Sequence, residues 1–192
     1  MQVFLETERL ILRQFTPDDL ELLVELDSDP EVMRYLTGGP ATPREEIADD
    51  ILPHWLRYYE RYAGYGFWAA IEKASGEFIG WFHFRPQAES PTDEPELGYR
   101  LRRAAWGRGF GTEGSRALID RGFREFGVRR VVASTAADNL GSRRVMEKSG
   151  LTLVRTFRAV YPGCFNDEEQ EDVEYALEKA DWERQQAAVT AG

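Results

Sequence analysis

The apolar run within residues 9–15 predicts a first strand, and Thr16-Pro17-Asp18-Asp19 then supplies a cap, a proline at the first helical position and an acid in the first turn. A helix through Leu26 follows. Thr42 to Glu45 repeats that logic as a Thr-x-x-Glu capping box, opening a helix that carries Ile47, Ile51, Leu52, Trp55, Tyr58, Tyr59 and Tyr62. Residues 67–72 and 77–84 flank Lys-Ala-Ser-Gly and predict an antiparallel hairpin. The proline-rich stretch 85–95 reads as a loop and residues 96–101 as the next strand.

A glycine-rich turn comes next, then a helix with Ile119, Phe123 and Phe126 at i, i+4, i+7 spacing. Residues 131–135 form a buried-type strand, and Asp138 or Asn139 caps a further helix that stops at Ser149-Gly150. Residues 151–157 return as a strand. Val173, Tyr175 and Leu177 alternate with Glu174, Ala176 and Glu178, the period of a half-buried strand. This succession suits an α/β fold near the α+β border, a mixed sheet flanked by helices, as a single domain over residues 1–183 with a loose tail at 184–192.

With 192 residues, 42% of them hydrophobic, the chain can bury a core of one domain's size. Its 34 Asp+Glu against 24 Lys+Arg give a formal charge of -10, which argues against a nucleic-acid grip. The one cysteine, Cys164, allows no intrachain disulfide and no multi-thiolate metal site. The start lacks a basic n-region with a long apolar core, and no segment is apolar enough to span a bilayer. A cytoplasmic protein with no membrane, nucleic-acid or metal partner is the expectation, with a homodimer left open.

Residues 97–112, L-G-Y-R-L-R-R-A-A-W-G-R-G-F-G-T, join a strand to a glycine turn and a helix. Gly107, Gly109 and Gly111 let several main-chain N–H groups converge while the helix adds the positive end of its dipole, so a phosphate or pyrophosphate is the expected ligand. Arg100, Arg102, Arg103 and Arg108 predict a basic island beside it. Gly109-x-Gly111-x-x-Gly114 satisfies the dinucleotide fingerprint literally, but it neither follows a strand directly nor sits among parallel βα units, and no phosphate-binding loop of the NTPase type occurs.

Trp106-Gly107-Arg108-Gly109-Phe110-Gly111 resembles the acetyl-CoA motif of the GCN5-related N-acetyltransferase (GNAT) superfamily. A second block, Asn139-x-x-Ser142 through Glu147-Lys148-Ser149-Gly150-Leu151, is similar to that superfamily's next helix. T-E-R-L-I-L-R from Thr7 and E-Y-A-L-E-K-A-D-W from Glu174 resemble its ribosomal-protein N-terminal acetyltransferase branch. The resemblance implies a mostly antiparallel sheet in which two central parallel strands, residues 97–101 and 131–135, splay apart to hold acetyl-CoA as co-substrate. It implies that main-chain groups of Tyr99 and Leu101 bond the pantetheine arm, that Trp106, Gly107, Arg108, Gly109, Phe110, Gly111 and Thr112 form the phosphate turn, and that Asn139 and Ser142 meet the cofactor from the second block.

Acetyl transfer from a thioester needs a neutral amine, a polarised carbonyl and a tolerable leaving group. An α-amine has a pKa of about 7.7–8.0 and a lysine about 10.4, so a carboxylate that takes the ammonium proton helps most, and Glu96 is the candidate. Carbonyl polarisation falls to main-chain N–H groups of residues 97–101. Many superfamily members place a tyrosine four residues before the closing glycine. Met146 stands there, which leaves the Ser142 hydroxyl one turn earlier to meet the departing thiolate.

Cys164 has no recognisable activating partner, so direct transfer is expected, and His54 and His83 read as packed side chains. Residues 35–44, 58–67 and 161–171 are expected to line the acceptor side, and the acidic run Asp167, Glu168, Glu169, Glu171 and Asp172 to be a solvated loop. The favoured acceptor is a protein or peptide N-terminal α-amine. A small-molecule amine such as an aminoglycoside or polyamine is the alternative, as is a non-catalytic acyl-CoA sensor.

Overall fold

The computed structural model describes residues 2–87 and 91–190. Strands β1 (Val3–Glu6), β2 (Leu10–Gln14), β3 (Gly66–Glu72), β4 (Phe78–Pro86), β5 (Pro95–Leu101), β6 (Arg130–Ala136), β7 (Thr152–Val160) and β8 (Glu169–Glu178) form one sheet in the order β1-β2-β3-β4-β5-β6-β8-β7. Every neighbouring pair is antiparallel except β5 and β6. The parallel pair shares the single register match Glu96↔Val132.

One face of the sheet carries α1 (Leu20–Asp27), α2 (Pro30–Met33), α3 (Arg44–Glu46) and α4 (Leu52–Arg61), packed through Phe15, Trp55, Phe67 and Trp81. The other face carries α5 (Phe110–Glu125), α6 (Leu140–Lys148) and α7 (Lys179–Thr190) over Phe82, Phe84, Phe123 and Tyr175. Strand alternation makes this division: Trp81, His83 and Arg85 of β4 face the first layer, Phe82 and Phe84 the second. Gly114 and Gly122 let α5 lie directly on Phe82 and Phe84, since a Cβ at either would come within 2.6 Å of those rings.

The hairpin, the strand before the glycine turn, α5 and α6 lie where periodicity and caps put them. Other elements differ for local reasons. The short β1 pairs with β2, so the N-terminal run is a hairpin rather than a lone strand. The Thr42 capping box does not form: Pro43 stands at the N-cap, and the Thr42 hydroxyl instead donates to Asp27 at 2.7 Å. The helix after it is broken by a π turn at Ile47–Ile51. On α5, Ile119 and Phe123 are buried as expected, while Phe126 is half-buried just past the helix end.

The stretch after Trp182, expected to be loose, continues helically through Thr190, with residues 191–192 outside the described residues. Trp182 Nε1 donates to Asp120 of α5 at 2.6 Å, and the Gln185 amide to the Gly150 carbonyl at 3.1 Å, which seats α7 on α5 and on the end of α6. Of the loop expected at 85–95, Arg85 and Pro86 finish β4, Pro95 starts β5, and residues 88–90 lie outside the described residues.

Candidate active site

Beyond Glu96↔Val132 the strands β5 and β6 part. The Arg102 N–H donates to the Ile79 carbonyl of β4 at 2.9 Å. Because main-chain groups alternate along an antiparallel strand, residues 97, 99 and 101 turn theirs the other way, towards β6. Glu96 is in register with Val132 at the root of the gap, but Tyr99 and Leu101 reach the level where no β6 residue is in register. Their N–H and C=O groups therefore face an opening shaped for an extended, amide-bearing arm. The Leu101 carbonyl already accepts the Trp106 indole N–H at 2.8 Å, which leaves its N–H and the groups of Tyr99 for a ligand.

At the open end, the turn after β5 holds Gly107 and Gly109 at φ +70° and +84°, a region that disfavours any residue with a Cβ. Gly109 is the N-cap of α5 and no side chain caps that end. The first helical bond there is from the Glu113 N–H to the Gly109 carbonyl at 3.0 Å, so the amides of Phe110, Gly111 and Thr112 have no helical acceptor. Together with the dipole of a 16-residue helix they make this end a candidate anion seat.

Arg9 and Glu113 brace this turn, a role that sequence reading missed. The Arg9 guanidinium donates to the Arg108 carbonyl at 2.9 Å and pairs with Glu113 at 2.6 Å, while the Thr7 hydroxyl reaches the same carboxylate at 2.6 Å. Burial works to raise the Glu113 carboxyl, but Thr7 and the Arg9 main chain and guanidinium hold it below the ordinary glutamate value. The Phe110 ring lies beneath two guanidinium groups, Arg9 at 4.5 Å and Arg108 at 4.7 Å.

The four arginines of the basic island are each paired with a carboxylate. Arg100 pairs with Asp27 at 2.5 Å, Arg102 with Glu25 at 2.9 Å, Arg103 with Asp29 at 3.3 Å and Arg108 with Glu72 at 2.5 Å. Three of these carboxylates come from α1 and the turn after it and the fourth from β3, so the arginines tie layers together. The Arg108 side chain is thus spent on Glu72, and the anion seat is built from main-chain amides.

Tyr99 and Ser142 meet on the α5–α6 side of the gap. The Tyr99 hydroxyl lies 3.0 Å from both the carbonyl and the Oγ of Ser142, in the first turn of α6. Burial pushes the phenol up, so it stays protonated. Asn139 is the cap of α6, its side-chain carbonyl accepting the Ser142 N–H at 3.1 Å. Met146 is buried in the core, with no polar group to offer.

Glu96 stands at the root of the gap on the opposite face. It is half-buried, 3.3 Å from Arg85 Nη2 and 3.6 Å from His83 Nε2. His83 packs between Phe67 and Trp81 and occupies the space over Gly98, where a Cβ would lie 2.4 Å from Nε2. Burial first, then Arg85 and Arg100, keep the imidazole well below its ordinary pKa and neutral. The β4–β5 register, Arg85↔Glu96 and His83↔Gly98, sets this cluster. The sequence carries that signal only as alternating polar residues at the two ends of an unpaired loop.

The three segments expected on the acceptor side border this face. The Phe165 N–H donates to the Thr37 carbonyl at 3.2 Å, joining the β7–β8 loop to the loop after α2. Tyr161, whose hydroxyl donates to Asp172, is close enough for Glu96 to help burial and Asp172 raise its phenol. Tyr58 of α4 packs edge-on against Phe67. Within the acidic run, Asp172 is buried under Tyr161, and Glu169 and Glu171 pair with Arg158, so only part of it is a free solvated face. Among the described residues no His, Cys, Asp and Glu group could hold a metal ion, and no helix is long and apolar enough to cross a membrane.

The family model described as an acetyltransferase (GNAT) domain matches residues 9–152. The FsC-acetyl coenzyme A-N(2)-transacetylase of Aspergillus fumigatus is 35% identical over 96% of this chain and 80% of its own length. The uncharacterized YkkB of Bacillus subtilis is 33% identical over 80% of this chain and 88% of its own. In fold, a GNAT-family acetyltransferase from Bacillus anthracis superposes with TM-score 0.74 at 24% identity, covering 94% of this chain and 99% of that one. RimL, a ribosomal L7/L12 alpha-N-protein acetyltransferase solved with coenzyme A, superposes with TM-score 0.75 at 20% identity over 92% and 98%.

Proposed function

The chain belongs to the GNAT acetyltransferase family and is an acyltransferase, and on that premise we propose that it moves acetyl from acetyl-CoA directly onto a primary amine, with an N-terminal α-amine of a protein or peptide as the favoured acceptor. The observation that carries this reading is the parting of β5 and β6 beyond Glu96↔Val132, with Tyr99 and Leu101 main-chain groups along it and the uncapped α5 N-terminus at its mouth. Acetyl-CoA, when bound, supplies an acetyl thioester. Tyr99, Leu101 and Asn139 hold its amide-bearing arm, and the main-chain groups of residues 106–112 hold its phosphates.

The gap opens to both faces of the sheet, which separates the two proton tasks. On the α1–α4 face Glu96 takes the proton released as the amine nitrogen forms its bond to the acetyl carbon, with Arg85 fixing the carboxylate at 3.3 Å. On the α5–α6 face the Tyr99–Ser142 hydroxyl pair meets the sulfur as the carbon–sulfur bond breaks. A thiol pKa of about 8.5 makes that help modest. Cys164 is half-buried in the β7–β8 loop, and direct transfer needs nothing from it.

A second reading, a small-molecule amine as acceptor, is favoured by the 35% identity to a relative named for transfer to an N(2) nitrogen of FsC. Incubation with acetyl-CoA and a panel of N-terminal peptides, lysine peptides, polyamines and aminoglycosides, read by mass spectrometry and CoA release, separates these. Acetylation confined to α-amines of peptides supports the first reading, and acetylation confined to small amines the second. Tight acetyl-CoA binding without any product would point to a sensor.

A further inference from the structure

A cavity of about 260 Å³ lies between the α1–α4 layer and the sheet, and the chemistry above leaves it unused. Its floor is the register pair Trp81 and Arg100, with the Arg100 guanidinium 5.1 Å over the Trp81 ring. Its wall includes Asp27, whose carboxylate is fixed by Arg100 at 2.5 Å and by the Thr42 hydroxyl at 2.7 Å. Arg100 meets the charge of Asp27, and the other carboxylate of the lining, Glu46, belongs to an exposed residue. Most of the remaining lining is aliphatic or aromatic, Trp55 and the rim residue Leu36 among it.

Size and polarity narrow the occupant. A cavity of about 150 Å³ holds a benzene ring, and whole-ligand pockets start near 300 Å³, so this one fits a single aromatic or branched aliphatic group. Arg100 and Glu96 share one face of β5 four residues apart, a separation of about 13 Å at strand spacing. Only Gly98 lies between them on that face, covered by His83.

We propose that this cavity receives an apolar side group of the acceptor, one joined to the reactive amine through an extended span of about 13 Å. The inference rests on the reading of Glu96 as the amine's proton acceptor, which fixes the other end of the span. It makes the enzyme selective for extended amines with a distal apolar group, whether peptide or not.

The probe is a ladder of peptide amides with a free N-terminal glycine, glycine spacers and one phenylalanine moved stepwise away from the amine. With acetyl-CoA, kcat/KM peaks when phenylalanine is about four residues along, roughly tenfold above the matched peptide with alanine there. Leu36→Trp, at an exposed rim position, fills the cavity and removes the peak, with acetyl-CoA binding measured alongside to show a folded cofactor site. A kcat/KM indifferent to phenylalanine position, or a peak unchanged in Leu36→Trp, overturns the inference. Calorimetry with the N-acetylated ladder reads the cavity without turnover. Length-dependent binding lost in Leu36→Trp sustains the cavity even if acetyl transfer to peptides fails, and no binding at any length overturns it.

Discussion

The Tyr99 hydroxyl lies 3.0 Å from the Ser142 Oγ, and the bond spans from the parted strand β5 to the first turn of α6. The Tyr99 hydroxyl also lies 3.0 Å from the Ser142 carbonyl, and in the hydroxyl pair either oxygen can donate. Two residues from separate elements thus act as one polar unit on the side of the gap opposite Glu96.

Such a unit gives non-additive kinetics. Ser142→Ala and Tyr99→Phe should each lower kcat on the order of tenfold with little change in KM for acetyl-CoA. The double variant should lose little more, a coupling of about 1 kcal/mol in a double-mutant cycle. Steady-state kinetics of the four proteins checks this, and strictly additive losses would show that the two hydroxyls act separately.

The phosphate turn should depend on main chain rather than on arginines. Gly109→Ala forces an L residue into φ +84° and brings a Cβ to 3.3 Å from Arg9 Nη2, a strain of about 1–2 kcal/mol. Calorimetry should find acetyl-CoA bound about tenfold more weakly by that variant. Arg103→Ala breaks only an exposed pair and should change affinity by less than about twofold.

His83 makes the fold acid-sensitive. Its folded pKa lies well below the ordinary 6.5, because of burial and then Arg85 and Arg100, so below 6.5 the unfolded chain binds a proton that the folded chain refuses. Stability from this group is complete above 6.5 and falls as pH drops, with a limiting slope of about 1.4 kcal/mol per pH unit. Urea unfolding between about pH 7 and about pH 5 should reveal that slope, and His83→Asn should remove it.

Much of this architecture is legible in the sequence where the cause is local. The hairpin around Gly76, the Asn139 cap and the glycine turn each follow from residues within a few positions. Contacts set by long-range register are not. Nothing near Arg100 or Arg102 announces Asp27 or Glu25, more than seventy positions away, and so a neutralised set of cross-layer ties reads as a basic island. Thr42 reads as a cap because Glu45 follows at the right spacing, yet Asp27 offers its hydroxyl a buried carboxylate. The sequence points to the Tyr99 main chain and not to its side chain, since only the packing of α6 on β5 brings Ser142 to it.

Glu96 at the root of the gap is the centre of the account, and Glu96→Gln tests it most directly, with kcat for the acceptor and the Kd of acetyl-CoA measured on the same preparation. The substitution keeps shape and hydrogen bonding but removes the proton acceptor, so kcat should fall on the order of a hundredfold while Kd shifts by less than about twofold. A variant that turns over at the wild-type rate would contradict the assignment of Glu96 as the group that takes the amine's proton.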